Sequence, residues 1–146
     1  MIKKLYRKLF KTPTIMSFQQ GFDLTELPIV TFRQDENKYN FILDTGSSAN
    51  IIDAEVVKDM VHSKIEKTSS LFGMEGKKGN CSMCTIPLSF KEDKYEGEYL
   101  IRDMKDAFGE LKKTTGVTVH GIIGALFFNK YKYVLDFSEL IAYSKM

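Results

Sequence analysis

The stretch Phe41-Ile42-Leu43-Asp44-Thr45-Gly46-Ser47-Ser48-Ala49 decides how the rest of this chain is read. Its apolar opening reads as a strand, and small turn-forming residues follow at once. A carboxylate is thereby delivered to a strand end and pinned by its buried neighbours. Gly46 permits a close backbone approach, so its N–H can point at the Asp44 carboxylate. Thr45 and Ser47 offer hydroxyls within local reach, and a Ser47 hydroxyl donating to Asp44 would stabilise its ionised form. The plain alternative is an Asx-turn, in which Asp44 only bonds its own turn amides. An Asp-Thr-Gly triplet by itself does not separate the two readings.

Outward from that stretch the text is mostly strands. Residues 27–33 and 39–43 flank a polar turn at 34–38 and read as a hairpin. Residues 49–52 form a further short strand. Asp53 is then a suitable N-cap for a short helix whose apolar face is Val56, Val57, Met60 and Val61. Residues 65–70 are extended, and Gly73, Gly76 and Gly79 punctuate a charged stretch, as at a hairpin tip. A second hairpin joins 85–90 to 95–102 through 91–94. Residues 104–113 read as a helix, weakened by Gly109 and ended at 114–116. A strand at 117–123, a short helix at 125–130 and a strand at 133–137 complete the chain. No internal repeat or low-complexity linker is present. The expectation is a small, mainly β domain with one or two short helices.

Composition agrees with that class. The 146 residues are one domain's worth, and 43% are hydrophobic. Such a chain buries roughly two-thirds of its unfolded surface without a disulfide or metal staple. Its longest apolar stretches, such as 121–128, are too short to span a bilayer, so a soluble globular domain is expected. Formal net charge is +2, which names no partner. Lys3, Lys4, Arg7, Lys8 and Lys11 crowd the start, leaving sixteen basic against nineteen acidic residues, a net −3, in the remainder. Ile2, Leu5, Tyr6, Leu9 and Phe10 recur at helical spacing among them. Residues 1–22 are therefore read as a basic, helical N-terminal arm and 23–146 as the domain. The arm either lays its apolar face on its own domain or makes a weak membrane-surface or partner contact; the first is the more economical. Cys81 and Cys84 form a lone Cys-x-x-Cys, and His62 and His120 are isolated in sequence, so no zinc set and no metal is expected. Two small hydrophobes in a hairpin suffice to explain the cysteines. With no signal peptide evident, a reducing, cytoplasmic location is expected.

A second element gives Asp44 its context. Val119-His120-Gly121-Ile122-Ile123-Gly124-Ala125-Leu126 is an apolar strand ending in a glycine that opens a helix, some eighty residues after Asp44. Apolar-Asp-Thr-Gly-Ser, a glycine-studded hairpin, then Ile-Ile-Gly-helix-strand resembles the single-lobe, retropepsin-like (retroviral-type) aspartic proteases, of the bacterial type. The resemblance runs over residues 27–137 in element order. It implies a single-lobe, acid-protease-like closed β-barrel, and an aspartic endopeptidase without a cofactor. Asp44 would then be the catalytic carboxylate. Thr45 would lock two catalytic loops together, Gly46 would lie against the carboxylate, and Ser47 stands where pepsin-like members carry serine. Ile122, Ile123 and Gly124 would pack beneath the active-site loop. Residues 72–80 would be a flap over the substrate, with Phe72, Gly73, Met74, Glu75 and Gly76 at its binding face. Phe137 would fall in a terminal strand of the kind that builds a dimer sheet. Residues 103–116 look like an insertion relative to the smallest members. Leu43, Ile51, Phe72, Met74 and Ile123 are candidate subsite walls, and each is equally a plain core residue.

The chemistry asks for a second carboxylate. Peptide hydrolysis by general acid–base catalysis needs one group to take a proton from water and another to protonate the carbonyl oxygen or leaving amine. Two close carboxylates sharing one proton supply both. The chain has a single Asp-Thr-Gly, since Asp53-Ala54-Glu55 and Asp136-Phe137-Ser138 lack the glycine turn. A two-fold homodimer contributing Asp44 from each copy is the economical solution, acting on a peptide or protein substrate. The alternative is a catalytically inactive retropepsin-like β-domain that binds protein or peptide. Phosphate binding of the actin-like kind needs two large lobes, and Walker A and dinucleotide glycine patterns are absent. No nucleic-acid partner is expected.

Overall fold

The computed structural model describes residues 15–70 and 80–146, with no side-chain description at 66–70, 80 and 81. The basic residues of the arm up to Lys11, and the flap residues Phe72, Gly73, Met74, Glu75 and Gly76, lie outside the described residues.

The first described element is a helix, α1 (Phe18–Thr25). It opens with a reciprocal capping box: Gln20 N donates to Ser17 Oγ (3.3 Å) and Ser17 N donates to Gln20 Oε1 (3.1 Å). The helix runs across the 22/23 boundary expected from sequence and buries Phe18 and Leu24.

Strands β1 (Ile29–Gln34) and β2 (Asn37–Leu43) form the expected first hairpin, closed by a two-residue turn at 35–36 with Asp35 left-handed at φ 50°. Next come β3 (Asn50–Asp53), a single 3-10 turn (Val56–Asp59) where a helix was expected, and β4 (Ser63–Ser70). Asp53 does accept from Val56 N (3.4 Å), but its other oxygen holds Met104 N (2.8 Å), and the coil goes no further than one turn. β5 (Asn80–Phe90) and β6 (Asp93–Arg102) make the second hairpin, and α2 (Lys105–Thr115) occupies the insertion. β7 is only Gly121–Ile123, and just before it His120 N donates to Asn40 O (2.8 Å) while His120 O accepts from Asp53 N (3.1 Å). Asn40 Nδ2 donates to Thr118 O and Asn40 N to His120 Nδ1, both at 2.8 Å. α3 (Ala125–Lys130) leads into a separate hairpin, β8 (Tyr133–Asp136) with β9 (Ile141–Ser144).

Six strands close into a barrel in the order β1-β2-β7-β3-β6-β5 and back to β1, and β4 adds to β5 from outside. The sheet is mixed: β2–β7 and β3–β6 are parallel, and the other pairs antiparallel. The seam between β1 and β5 is one residue pair, Arg33 opposite Ser89. The interior is aromatic at its centre. Phe32 lies edge-on to Phe41 (5.8 Å), Tyr95 (5.9 Å) and Phe127 (6.2 Å), each such side chain stabilising by about 1.5–3 kcal/mol through burial. A second cluster covers the outer face of β2 and β7, where Ile42 and Ile122 pack against Met16, Ile29, Phe108, Val117 and Val119. Parallel strands covered on both faces need unbroken apolar runs, which is why 41–43 and 121–123 read as they do.

Phe137 is not in a terminal strand. Asp136 ends β8 by accepting from the amides of Ser138 and Glu139, so Phe137 sits in the turn, where its ring packs edge-on against Phe18 (5.2 Å). The final strand is β9, which carries no strong sequence signal. No described helix is long and apolar enough to cross a membrane.

Candidate active site

Strand β2 ends at Leu43, yet its ladder to β7 continues one step: Asp44 N donates to Ile123 O at 2.8 Å. On the other side Leu43 N donates to Pro28 O (2.7 Å), so the backbone entering Asp44 is held from both flanks. The chain then turns sharply. Gly46 N donates to Asp44 Oδ1 (2.9 Å) and Ser47 N to Asp44 O (3.1 Å). A Cβ at Gly46 would stand 3.2 Å from that Oδ1, closer than real side chains usually tolerate, so glycine is what admits the amide. The Asx-turn therefore exists, and it coexists with an exposed carboxylate whose second oxygen has no hydrogen-bond partner among the described residues.

Behind the turn stands the start of α3. Ala125 N donates to Ser47 O at 2.7 Å. A side chain at Gly124 would meet Ser47 O at 2.5 Å and Ala49 O at 2.6 Å, so the two backbones touch with nothing between them. Ile123 is fully buried beneath. The structure thus brings Asp44, Gly46, Ser47, Ile123 and Gly124 together, while Thr45 is exposed on the turn. Leu43 and Ile123 are buried in the barrel interior, and Ile51 is half-buried.

The Ser47 hydroxyl differs from expectation. It donates to Ala49 O at 2.6 Å, a backbone carbonyl two residues on, and so closes the turn rather than feeding the Asp44 carboxylate.

Asn50 was not singled out from sequence, although a polar side chain opening an apolar strand six residues after Asp44 was the available signal. It is buried, its Oδ1 accepts from Gly124 N (2.8 Å) and its Nδ2 donates to Glu98 O (3.1 Å). It links the turn, the start of α3 and β6.

Other titratable groups are engaged elsewhere. Burial lowers the His120 pKa below its ordinary value, and Nδ1 accepts the Asn40 amide, which requires the neutral ring. Burial pushes the Cys84 thiol up to about 11, leaving it an inert small hydrophobe. Among the described residues no group of three or more His, Cys, Asp or Glu could hold a metal ion. A cavity of about 580 Å³ lies around Gln34, Val61, Leu88 and Tyr95, beside the β1–β2 turn and away from Asp44.

No protein-family model matches the chain, and no curated protein sequence does. Among solved structures it is similar to the crystal structure of the retroviral protease-like domain of Ddi1 from Leishmania major. The match has 10% identity and a TM-score of 0.52, covering 82% of this chain and 88% of that one. At that identity the likeness shows the fold: a retropepsin-like, mainly β single-lobe barrel.

Proposed function

We propose that this chain is an aspartic endopeptidase whose catalytic pair is two Asp44 carboxylates, one from each of two copies. The observation that carries the proposal is an exposed carboxylate fixed by a single turn amide, at a strand end backed by Ile123 and Gly124, in a retropepsin-like barrel. A fixed carboxylate with a free oxygen is suited to proton transfer, but hydrolysis needs a second group. The exposure of Asp44 and Thr45 in the single chain suits a partner copy that brings the same turn against them.

In that pair one carboxylate is ionised and the other protonated, because close like charges do not both ionise. The ionised member takes a proton from water as its oxygen attacks the peptide carbonyl, and the protonated member gives its proton to the carbonyl oxygen. A proton returned to the leaving nitrogen then lets the C–N bond break, giving a carboxyl and an amine. No cofactor enters. Residues 72–80 remain our assignment for the segment covering the peptide. A buried, reduced Cys84 is consistent with a reducing, cytoplasmic setting.

The test is a mixed peptide library incubated with the protein across pH and read by mass spectrometry, with Asp44→Asn beside it. The expected result is defined cleavage products that disappear in Asp44→Asn. Products that persist in the variant overturn the catalytic assignment. Peptides retained uncleaved by both proteins would instead identify a binding module.

A further inference from the structure

Three bonds hold the turn that carries Asp44 to the chain behind it: Asp44 N to Ile123 O, Ala125 N to Ser47 O, and Gly124 N to Asn50 Oδ1. The first two join backbone to backbone. The third is made by a side chain, and it grips the residue whose missing Cβ allows Ser47 O and Ala49 O to lie against it. The same amide is anchored from behind, since Nδ2 donates to Glu98 O on β6. Gly97 leaves the room it needs, because a Cβ there would stand 3.3 Å from Asn50 Nδ2. Among acidic and amide side chains of this length, a neutral amide at any pH, or a carboxyl only while protonated, both accepts from Gly124 and donates to Glu98.

We propose that Asn50 is a positioning residue for Asp44, referencing the catalytic turn to β6 through Gly124. The inference rests on the protease reading above. Paired carboxylates act only at a narrow separation, and each copy of the chain brings one Asn50, so a loosened anchor displaces both members of the pair. Misplacement by about 1 Å is enough to cost on the order of a hundredfold in rate. Asn50 acts without touching substrate, so its loss falls on kcat and spares KM.

The test compares wild type, Asn50→Leu and Asn50→Asp on one cleavable peptide, with kcat, KM and thermal unfolding measured at each pH. Asn50→Leu is expected to keep KM within about threefold while kcat falls about a hundredfold. Asn50→Asp is the conservative rescue. Its protonated carboxyl both accepts from Gly124 and donates to Glu98, whereas its ionised form can only accept. Glu96, Glu98, Lys130 and Tyr131 are the titratable residues lining the cavity at this position; the two glutamates oppose ionisation there and the Lys130 ammonium favours it. Activity of Asn50→Asp is therefore expected near wild type at acid pH, and lost at a lower pH than in wild type while the protein stays folded. Should Asn50→Leu not fold, the Asn50→Asp profile decides alone. A folded Asn50→Leu with wild-type kcat, an Asn50→Asp profile that superimposes on wild type, or rates that fall only in step with unfolding each overturn the inference. A wild type that cleaves no peptide overturns the protease reading and this inference with it.

Discussion

Asp44 and Asp136 both stand at a strand end and both bend the following chain with their own carboxylate, yet the two carboxylates are bonded differently. At the end of β8, Asp136 Oδ1 takes three donors: the Ser138 hydroxyl (2.6 Å), Ser138 N (2.9 Å) and Glu139 N (3.0 Å). The Ser138 hydroxyl, then the Glu139 amide, hold its carboxyl below the usual carboxylate range. At the end of β2, Asp44 Oδ1 takes one donor, Gly46 N. The serine two residues past Asp136 feeds its carboxylate; the serine three residues past Asp44 feeds Ala49 O. What stands behind the turns differs too. The Asp136 turn is a hairpin tip touched by the rings of α1, while the Asp44 turn is clamped by backbone from residues 123–125. An Asx-turn thus does not by itself occupy a carboxylate fully, and the two turns differ in donor count and in backing.

The largest test of that contrast exchanges each carboxylate for its amide. Asp44→Asn keeps an acceptor for Gly46 N, so melting should barely move while peptide cleavage falls by roughly a thousandfold. Asp136→Asn should leave turnover within about twofold in the same assay; equal losses at both positions would erase the distinction. The backing is probed next. Gly124→Ala drives a Cβ against Ser47 O and Ala49 O, and chemical denaturation should show a destabilisation of about 1–3 kcal/mol. A neutral substitution would mean that the clamp is loose.

Smaller effects separate the two serines. Ser47→Ala removes a bond to Ala49 O, costing about 1 kcal/mol, and the limbs of a pH–rate profile should stay where wild type has them. A displaced profile would return the hydroxyl to the carboxylate. Ser138→Ala, by contrast, should raise the Asp136 ionisation in a carboxyl NMR titration. The sign follows from the depressed value. The stabilising contribution of Asp136 is present above its unfolded ionisation, near 3.9, and is lost as pH falls through the lower folded one. Ser138→Ala should therefore shrink the acid-sensitive part of hairpin stability.

The readable parts of the sequence were those whose cause is local. The apolar run, the small turn and the glycine at 46 each carry their own reason, and so do the two hairpins, though not their two-residue turns, and the helix at 125–130. The capping box at Ser17 and Gln20 was equally local but lay in a segment read for its charge. Asn50 and the short β7 depend on partners far along the chain, as Asn50 does on Gly124. Alternation and propensity carry no information about such pairings. The turn at Phe137 failed differently: its apolar ring looks like strand, while the carboxylate before it decides the backbone.

The clamp has a consequence in time. Asn50 and Gly124 are 74 residues apart, and β7 slots between β2 and β3 only after every other barrel strand has been made. At synthesis rates of roughly 5–20 residues per second, that leaves about 4–15 s in which a growing chain carries Asp44 without its backing. The hairpins close locally, but the parallel β2–β7 pairing waits for a long loop to be tied, which makes it slow. The Asp44 turn is consequently among the last features to acquire its shape, and the emerging polypeptide passes through its own most exposed stage without it.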